Sequence, residues 1–172
     1  NGYHGDTMGT MSVSDPKNGM HSMFKKSLLK QLYVSCPESR DHYKRNDSKS
    51  LKEMEKKLID KHLEIAAVII EPILQGAGGM RIYHPHYLSQ LKKLCKKYNV
   101  LLILDEIATG FGRTGELFGF DHAKITPDIL CLGKSLTGGY MSLAATVVSK
   151  KIAKSISNKE PGIFMHGPTY MA

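Results

Sequence analysis

Two side chains of opposite charge stand where apolar runs end. Asp105 closes Val100-Leu101-Leu102-Ile103-Leu104, and Lys134 follows Ile129-Leu130-Cys131-Leu132-Gly133, 29 positions further on. A buried, unpaired carboxylate is costly or takes up a proton, so Asp105 needs a donor or a cation. It could cap the turn over 107–110, pair with a basic residue such as Arg113, or meet a bound cation. Lys134 sits in Gly133-Lys134-Ser135-Leu136-Thr137-Gly138-Gly139. That segment could be a surface turn or a phosphate loop. It could also hold an amine in a pocket, where partial burial and a nearby cation would make it nucleophilic enough for a Schiff base. The Walker spacing is absent, because Asp128 stands where that motif needs its first glycine. Tyr3-His4-Gly5 offers an aromatic pair that could stack on a flat ring. His166-Gly167-Pro168-Thr169-Tyr170 offers a turn with a hydroxyl and backbone N–H groups suited to a phosphate.

The elements that must position these groups are read from periodicity. Ile65-Ala66-Ala67-Val68-Ile69-Ile70 stops at Glu71-Pro72 and reads as a strand buried on both faces. The run 100–105 reads as a second such strand, 129–132 as a third and 144–148 as a fourth. Ser48 is placed to cap a helix over 49–62, with Leu51, Met54, Leu58 and Ile59 on one face. A Gly-rich loop over 75–80 precedes Pro85, which suits a first helical turn. Leu88, Leu91, Leu94, Cys95 and Tyr98 give that helix an apolar stripe. Residues 149–157 read as another helix. Residues 1–24 read as loop, short helix and loop, and 25–50 as a surface excursion. Buried strands alternating with helices imply parallel pairing, hence an α/β domain with a mostly parallel sheet flanked by helices. In such sheets ligands sit beyond the carboxyl ends of the strands, where Asp105 and Lys134 fall.

Composition narrows the classes. The 172 residues suffice for one domain, and 41% hydrophobic with 23% charged residues is ordinary for a globular protein. No run of about 18 apolar residues exists to span a membrane, and no signal peptide is visible at the start. Three cysteines, Cys36, Cys95 and Cys131, form neither a disulfide framework nor a zinc pattern and suit a reducing cytoplasm. The net charge of +8 raises the question of nucleic acid. The lysines are scattered over helical stretches without interleaved aromatics, which favours a solvated face and no nucleic-acid partner.

Taken together, a lysine amine, a strand-end carboxylate, an aromatic face and a phosphate turn are what pyridoxal 5'-phosphate (PLP) requires. At these residues the chain resembles the class III, fold-type I PLP aminotransferases. The carrying motifs are Glu71-Pro72-Ile73, then Leu102-Ile103-Leu104-Asp105-Glu106-Ile107-Ala108-Thr109-Gly110-Phe111-Gly112-Arg113-Thr114-Gly115, then Pro127-Asp128-Ile129-Leu130-Cys131-Leu132-Gly133-Lys134. The resemblance spans nearly the whole chain except about 25–50.

That resemblance implies a role for each site residue. Lys134 would carry the cofactor and serve as acid and base, and Asp105 would pair with the pyridine nitrogen. Tyr3 would stack on the ring. Pro168 and Thr169 would serve the phosphate, Thr169 from the neighbouring subunit of a homodimer with shared active sites. Tyr3, Lys134 and Gly167 would also face substrate. Glu71 would lie near the cofactor. Within the family, Tyr3-His4-Gly5-Asp6-Thr7, Gln75-Gly76-Ala77-Gly78-Gly79-Met80, Leu136-Thr137-Gly138-Gly139 and His166-Gly167-Pro168-Thr169 resemble one subgroup. That subgroup moves an amino group from S-adenosylmethionine, or lysine in some relatives, onto the ketone of 8-amino-7-oxononanoate in biotin synthesis. Gly76 stands where ornithine-type relatives carry a switch glutamate, which disfavours an ornithine-type substrate.

The resemblance also implies that 1–172 is the central part of the PLP-binding large domain. An N-terminal segment with a Gly-Ser phosphate turn and a C-terminal small domain with a carboxylate-binding arginine would lie outside it. The segment alone is expected to be inactive. Two alternatives stay open: another class III omega-aminotransferase, or a truncated non-catalytic module with the PLP fold.

Overall fold

The computed structural model describes residues 2–43 and 47–162. Element order is α1 (Met8–Val13), α2 (His21–Phe24), a 3-10 turn (Arg40–His42), α3 (Lys49–Lys61), β1 (Ala67–Ile70), β2 (Leu74–Gln75), β3 (Arg81–Ile82) and α4 (Pro85–Lys97). It continues with β4 (Leu101–Asp105), a 3-10 turn (Gly119–Ala123), β5 (Ile129–Leu132), a 3-10 turn (Lys134–Thr137), β6 (Ala145–Val148) and α5 (Lys150–Ser157). Local chemistry explains the helix starts. The Ser48 side chain accepts an N–H bond from Leu51 and Pro85 occupies the first turn of α4, as the sequence predicts, and Ser149, read from the sequence as the first helical residue, instead caps α5 by accepting from Ile152.

The main sheet runs β1-β4-β5-β6, with β1, β4 and β5 parallel. The fold is therefore the expected α/β type, a mostly parallel sheet flanked by helices. Two expectations need correction. First, β6 pairs antiparallel with β5, Leu132 opposite Ala145 and Ile129 opposite Val148. The link over 133–144 contains only a 3-10 turn, so the chain folds back beside β5 instead of crossing the sheet. Second, among the described residues only one face of the sheet is fully covered. Along β4, Leu102 and Leu104 are fully buried while Leu101 and Ile103 are only partly so. Leu102, Leu104, Leu130 and Leu132 share one core with Leu88, Leu91 and Cys95 of α4 and with Met54 and Leu58 of α3. Among the described residues the opposite face has thinner cover, and β6 is largely exposed.

On α3, Ile59 departs from its expected place: it is 57% exposed, whereas Met54 and Leu58 are buried. The excursion over 25–50 is tied to the body. Leu28 is buried, the Tyr33 hydroxyl donates to the Ser12 carbonyl, and Ser39 bridges Tyr83.

A candidate active site at the carboxyl ends of the parallel strands

Parallel register sets the site. Ile70 pairs with Leu104, and Asp105 with Cys131, so the chain leaves β1 at Glu71, β4 at Asp105 and β5 at Gly133-Lys134 along one edge of the sheet. The carboxylate and the lysine that stood 29 positions apart thus emerge from neighbouring strands.

Asp105 is 5% exposed. Its Oδ1 accepts the Ile107 N–H at 3.1 Å, which is the turn cap that the sequence allowed. Its Oδ2 meets His4 Nδ1 at 2.8 Å. The basic partner is therefore His4 and not Arg113. The sequence could not signal this, because 101 positions separate the two residues. Arg113 instead lines an open cavity of about 810 Å³ together with Lys134, Gly138, Gly139 and Leu143. A cavity of that size is ample for a cofactor. Tyr3 and Asp105 do not line it.

Lys134 has a φ of 44°. A lysine in the left-handed region is strained by order 1–3 kcal/mol, and such strain concentrates at functional sites. A plain surface turn would place glycine there. The glycines come just after it instead: Gly138 (φ 62°) and Gly139 (φ 86°) let the chain reverse beside the cavity. Among the described residues the Lys134 amine takes part in no ion pair and no hydrogen bond, so it is available for a ligand.

Tyr3 is 39% exposed, with its backbone N–H bonded to Glu71 Oε2 at 3.1 Å. A side-chain hydrogen bond to Asp6 is the main reason its phenol ionises above the usual range. Glu71 is buried, and its Oε1 accepts the Gly76 N–H at 3.1 Å. Glu71 therefore ties the Tyr3 segment to the Gly-rich loop after β2. Burial pushes its carboxyl above the usual range, against the two N–H donors. Gly167, Pro168 and Thr169 lie outside the described residues, as does the rest of the phosphate turn.

The donor set fits PLP on its own chemistry. Among the described residues, a buried carboxylate at one strand end has only an imidazole and a backbone N–H as partners, which leaves each of its oxygens a lone pair. A strained lysine with an unpaired amine stands at the next strand end, beside a cavity that also presents the Arg113 cation. No group of three or more His, Cys, Asp or Glu among the described residues could hold a metal ion.

The fold and this edge define a class, and the chain belongs to it. The class-III aminotransferase family matches residues 1–172, including the stretch 25–50. Curated relatives named adenosylmethionine-8-amino-7-oxononanoate aminotransferase are 54% identical in Buchnera aphidicola subsp. Schizaphis graminum and 51% identical in Mycobacterium leprae, each match covering 99% of this chain. The crystal structure of the enzyme of that name from Methanocaldococcus jannaschii is 39% identical with a TM-score of 0.85, over 98% of this chain. A thermostable omega transaminase mutant from Pseudomonas jessenii is 35% identical with a TM-score of 0.84, also over 98% of this chain. The chain spans about two fifths of the length of these relatives: 39% and 38% of the two curated proteins, and 38% and 39% of the two solved chains.

Proposed function

We propose that the complete protein is a PLP-dependent aminotransferase that converts 8-amino-7-oxononanoate to 7,8-diaminononanoate, with S-adenosylmethionine as the amino donor. The observation that carries this reading is Asp105 and Lys134 at the carboxyl ends of adjacent parallel strands, one a buried acceptor and the other an unpaired amine on a strained backbone. The relatives' shared name supports the substrate and the donor. Gly76 in place of a switch glutamate supports exclusion of an ornithine-type substrate.

When bound, PLP supplies an electrophilic carbonyl carbon and a pyridinium ring that draws off the negative charge left by proton removal. The chain's residues do the rest. The Lys134 amine would hold the cofactor and would serve as the base and acid that takes up and returns a proton. The Asp105 carboxylate would accept a hydrogen bond from the ring nitrogen and favour its protonated form. Tyr3 would cover one ring face, its phenol kept protonated beside Asp6. Pro168 and Thr169 would serve the cofactor phosphate, Thr169 from the partner subunit of a homodimer. Gly167 would face substrate. The chain forms the central part of the PLP-binding domain. The three free cysteines suit a cytoplasmic location, and no helix among the described residues is long and apolar enough to cross a membrane.

The test uses the complete protein. Titration with PLP should give the visible absorbance band of a lysine-bound cofactor, and Lys134→Ala should abolish that band. S-adenosylmethionine and lysine are then compared as donors with 8-amino-7-oxononanoate. A band that persists in Lys134→Ala would sink the assignment of the lysine. Turnover of simple amines alone would favour the omega-transaminase reading, which the likeness to the Pseudomonas jessenii enzyme keeps specific.

A further inference from the structure

The chain leaves β1 through a turn bent against the preference of its own residues. Ile73 is buried with a φ of 66°, and a β-branched side chain in the left-handed region is an outlier. The Leu74 N–H reaches back to the Pro72 carbonyl at 2.7 Å, so Pro72-Ile73-Leu74 closes as a γ-turn of the rare, strained hand. Such a turn persists only where its surroundings over-determine it. Tyr83 does so from both sides. Its backbone N–H donates to the Ile73 carbonyl at 2.9 Å, and its hydroxyl donates to the Glu71 carbonyl at 2.8 Å. Glu71, pinned in this way, reaches two segments far apart in sequence. Its Oε2 accepts the Tyr3 N–H and its Oε1 the Gly76 N–H, each at 3.1 Å. The first segment carries the ring assigned to the cofactor face. The second is the Gly-rich loop that follows β1, whose neighbour β4 ends in Asp105.

From this geometry we propose that Tyr83 is a positioning residue for the cofactor face, acting through Glu71. At 1% exposure Tyr83 itself reaches no ligand. Its two bonds fix the carbonyls on either side of Pro72, which is itself fully buried. The backbone beneath the Glu71 side chain is thereby set, and one carboxylate can meet the Tyr3 and Gly76 N–H groups at once. Without the hydroxyl, the Glu71 carbonyl loses a buried donor and the strained turn loses one of its two anchors. The turn then relaxes, and the hold on Tyr3 and on Gly76 weakens together. The inference rests on Tyr3 facing the cofactor ring.

The test compares the complete protein with Tyr83→Phe, Glu71→Gln, the double variant and Tyr3→Ala. Amide hydrogen exchange is read at Tyr3 and Gly76, and PLP affinity and the visible circular dichroism of the bound cofactor are read alongside. Tyr83→Phe keeps the ring and removes only the hydroxyl. Loss of one neutral hydrogen bond predicts exchange about two- to tenfold faster at both amides, and PLP binding weaker by about two- to tenfold. The dichroism of the cofactor band should weaken with it. Glu71→Gln, which keeps one acceptor oxygen and loses the other, should move all three readouts in the same direction. Because both changes act along one path, the double variant should stay within about twofold of Glu71→Gln. Effects that multiply in the double variant would overturn the inference. Unchanged exchange at Tyr3 and Gly76 in Tyr83→Phe, with a lower melting temperature alone, would reduce Tyr83 to a packing residue. If Tyr83→Phe does not fold, Glu71→Gln decides: faster exchange at both amides supports the path, and unchanged exchange refutes it. If Tyr3→Ala alters affinity and dichroism while Tyr83→Phe alters neither, only this inference fails. If Tyr3→Ala is also silent, the reading of the cofactor face fails with it.

Discussion

Glu106 is a fully buried carboxyl group, and its replacement gives a sharp test. It follows Asp105 directly. Among the described residues no cation pairs with it. Its Oε2 accepts the Thr109 hydroxyl and the Gly119 N–H at 3.0 Å, and its Oε1 accepts the Phe120 N–H at 2.9 Å. One side chain therefore closes the loop between β4 and the following 3-10 turn, the same loop that brings Arg113 to the cavity. Glu106→Ala orphans two fully buried donors, on Thr109 and Gly119, and one half-buried donor on Phe120. At about 1–3 kcal/mol for each buried orphan, less the relief of no longer burying a carboxylate, the net loss is about 3–4 kcal/mol. Glu106→Gln keeps an oxygen for Thr109 and Gly119 but turns an NH2 toward Phe120, so about 1–2 kcal/mol is expected. Urea unfolding of the complete protein at pH 7, followed by circular dichroism, measures both. A Glu106→Ala variant within about 1 kcal/mol of the parent would show that the loop does not depend on this acceptor. A Gln variant as damaged as Ala would show that charge, not acceptor geometry, is what matters.

Two more outcomes are expected from buried titratable groups. Burial raises the Glu71 carboxyl above its ordinary range, so the folded state holds the proton more tightly than the unfolded chain. Its contribution to stability is therefore greatest below the ordinary carboxylate range, falls as pH climbs through the raised folded value, and is flat above it. Urea unfolding across that window should show the stability of Glu71→Gln gaining on the parent as pH rises. Parallel curves would refute the shift. The thiols should react unequally: burial pushes Cys95 up to about 12 and Cys131 up to about 11. At pH 8 the Cys131 thiolate is then roughly one part in a thousand, and a thiol reagent on the native protein should label Cys36 first and Cys95 last. Fast labelling of Cys95 in the folded state would contradict its burial.

Much of the frame was legible from local order. The apolar runs became β1, β4 and β5 because four or five consecutive apolar residues have few other places to go. Ser48 and Pro85 marked helix starts because capping is settled within one turn of chain. The joint motif from Glu71 to Lys134 carried the family because its spacing is set by strand lengths and by the turns between them. Tertiary contacts decided what local order could not. The direction of β6 depended on whether the link over 133–144 could cross the sheet. The alternating burial of β4 depended on which face α3 and α4 cover. The left-handed backbone at Lys134 has no residue signal, since lysine does not favour it. The partner of Asp105 lay 101 positions away in His4. A hydrogen bond over that span exists only once β4 and the segment before α1 have packed together, so no periodicity in the sequence could announce it.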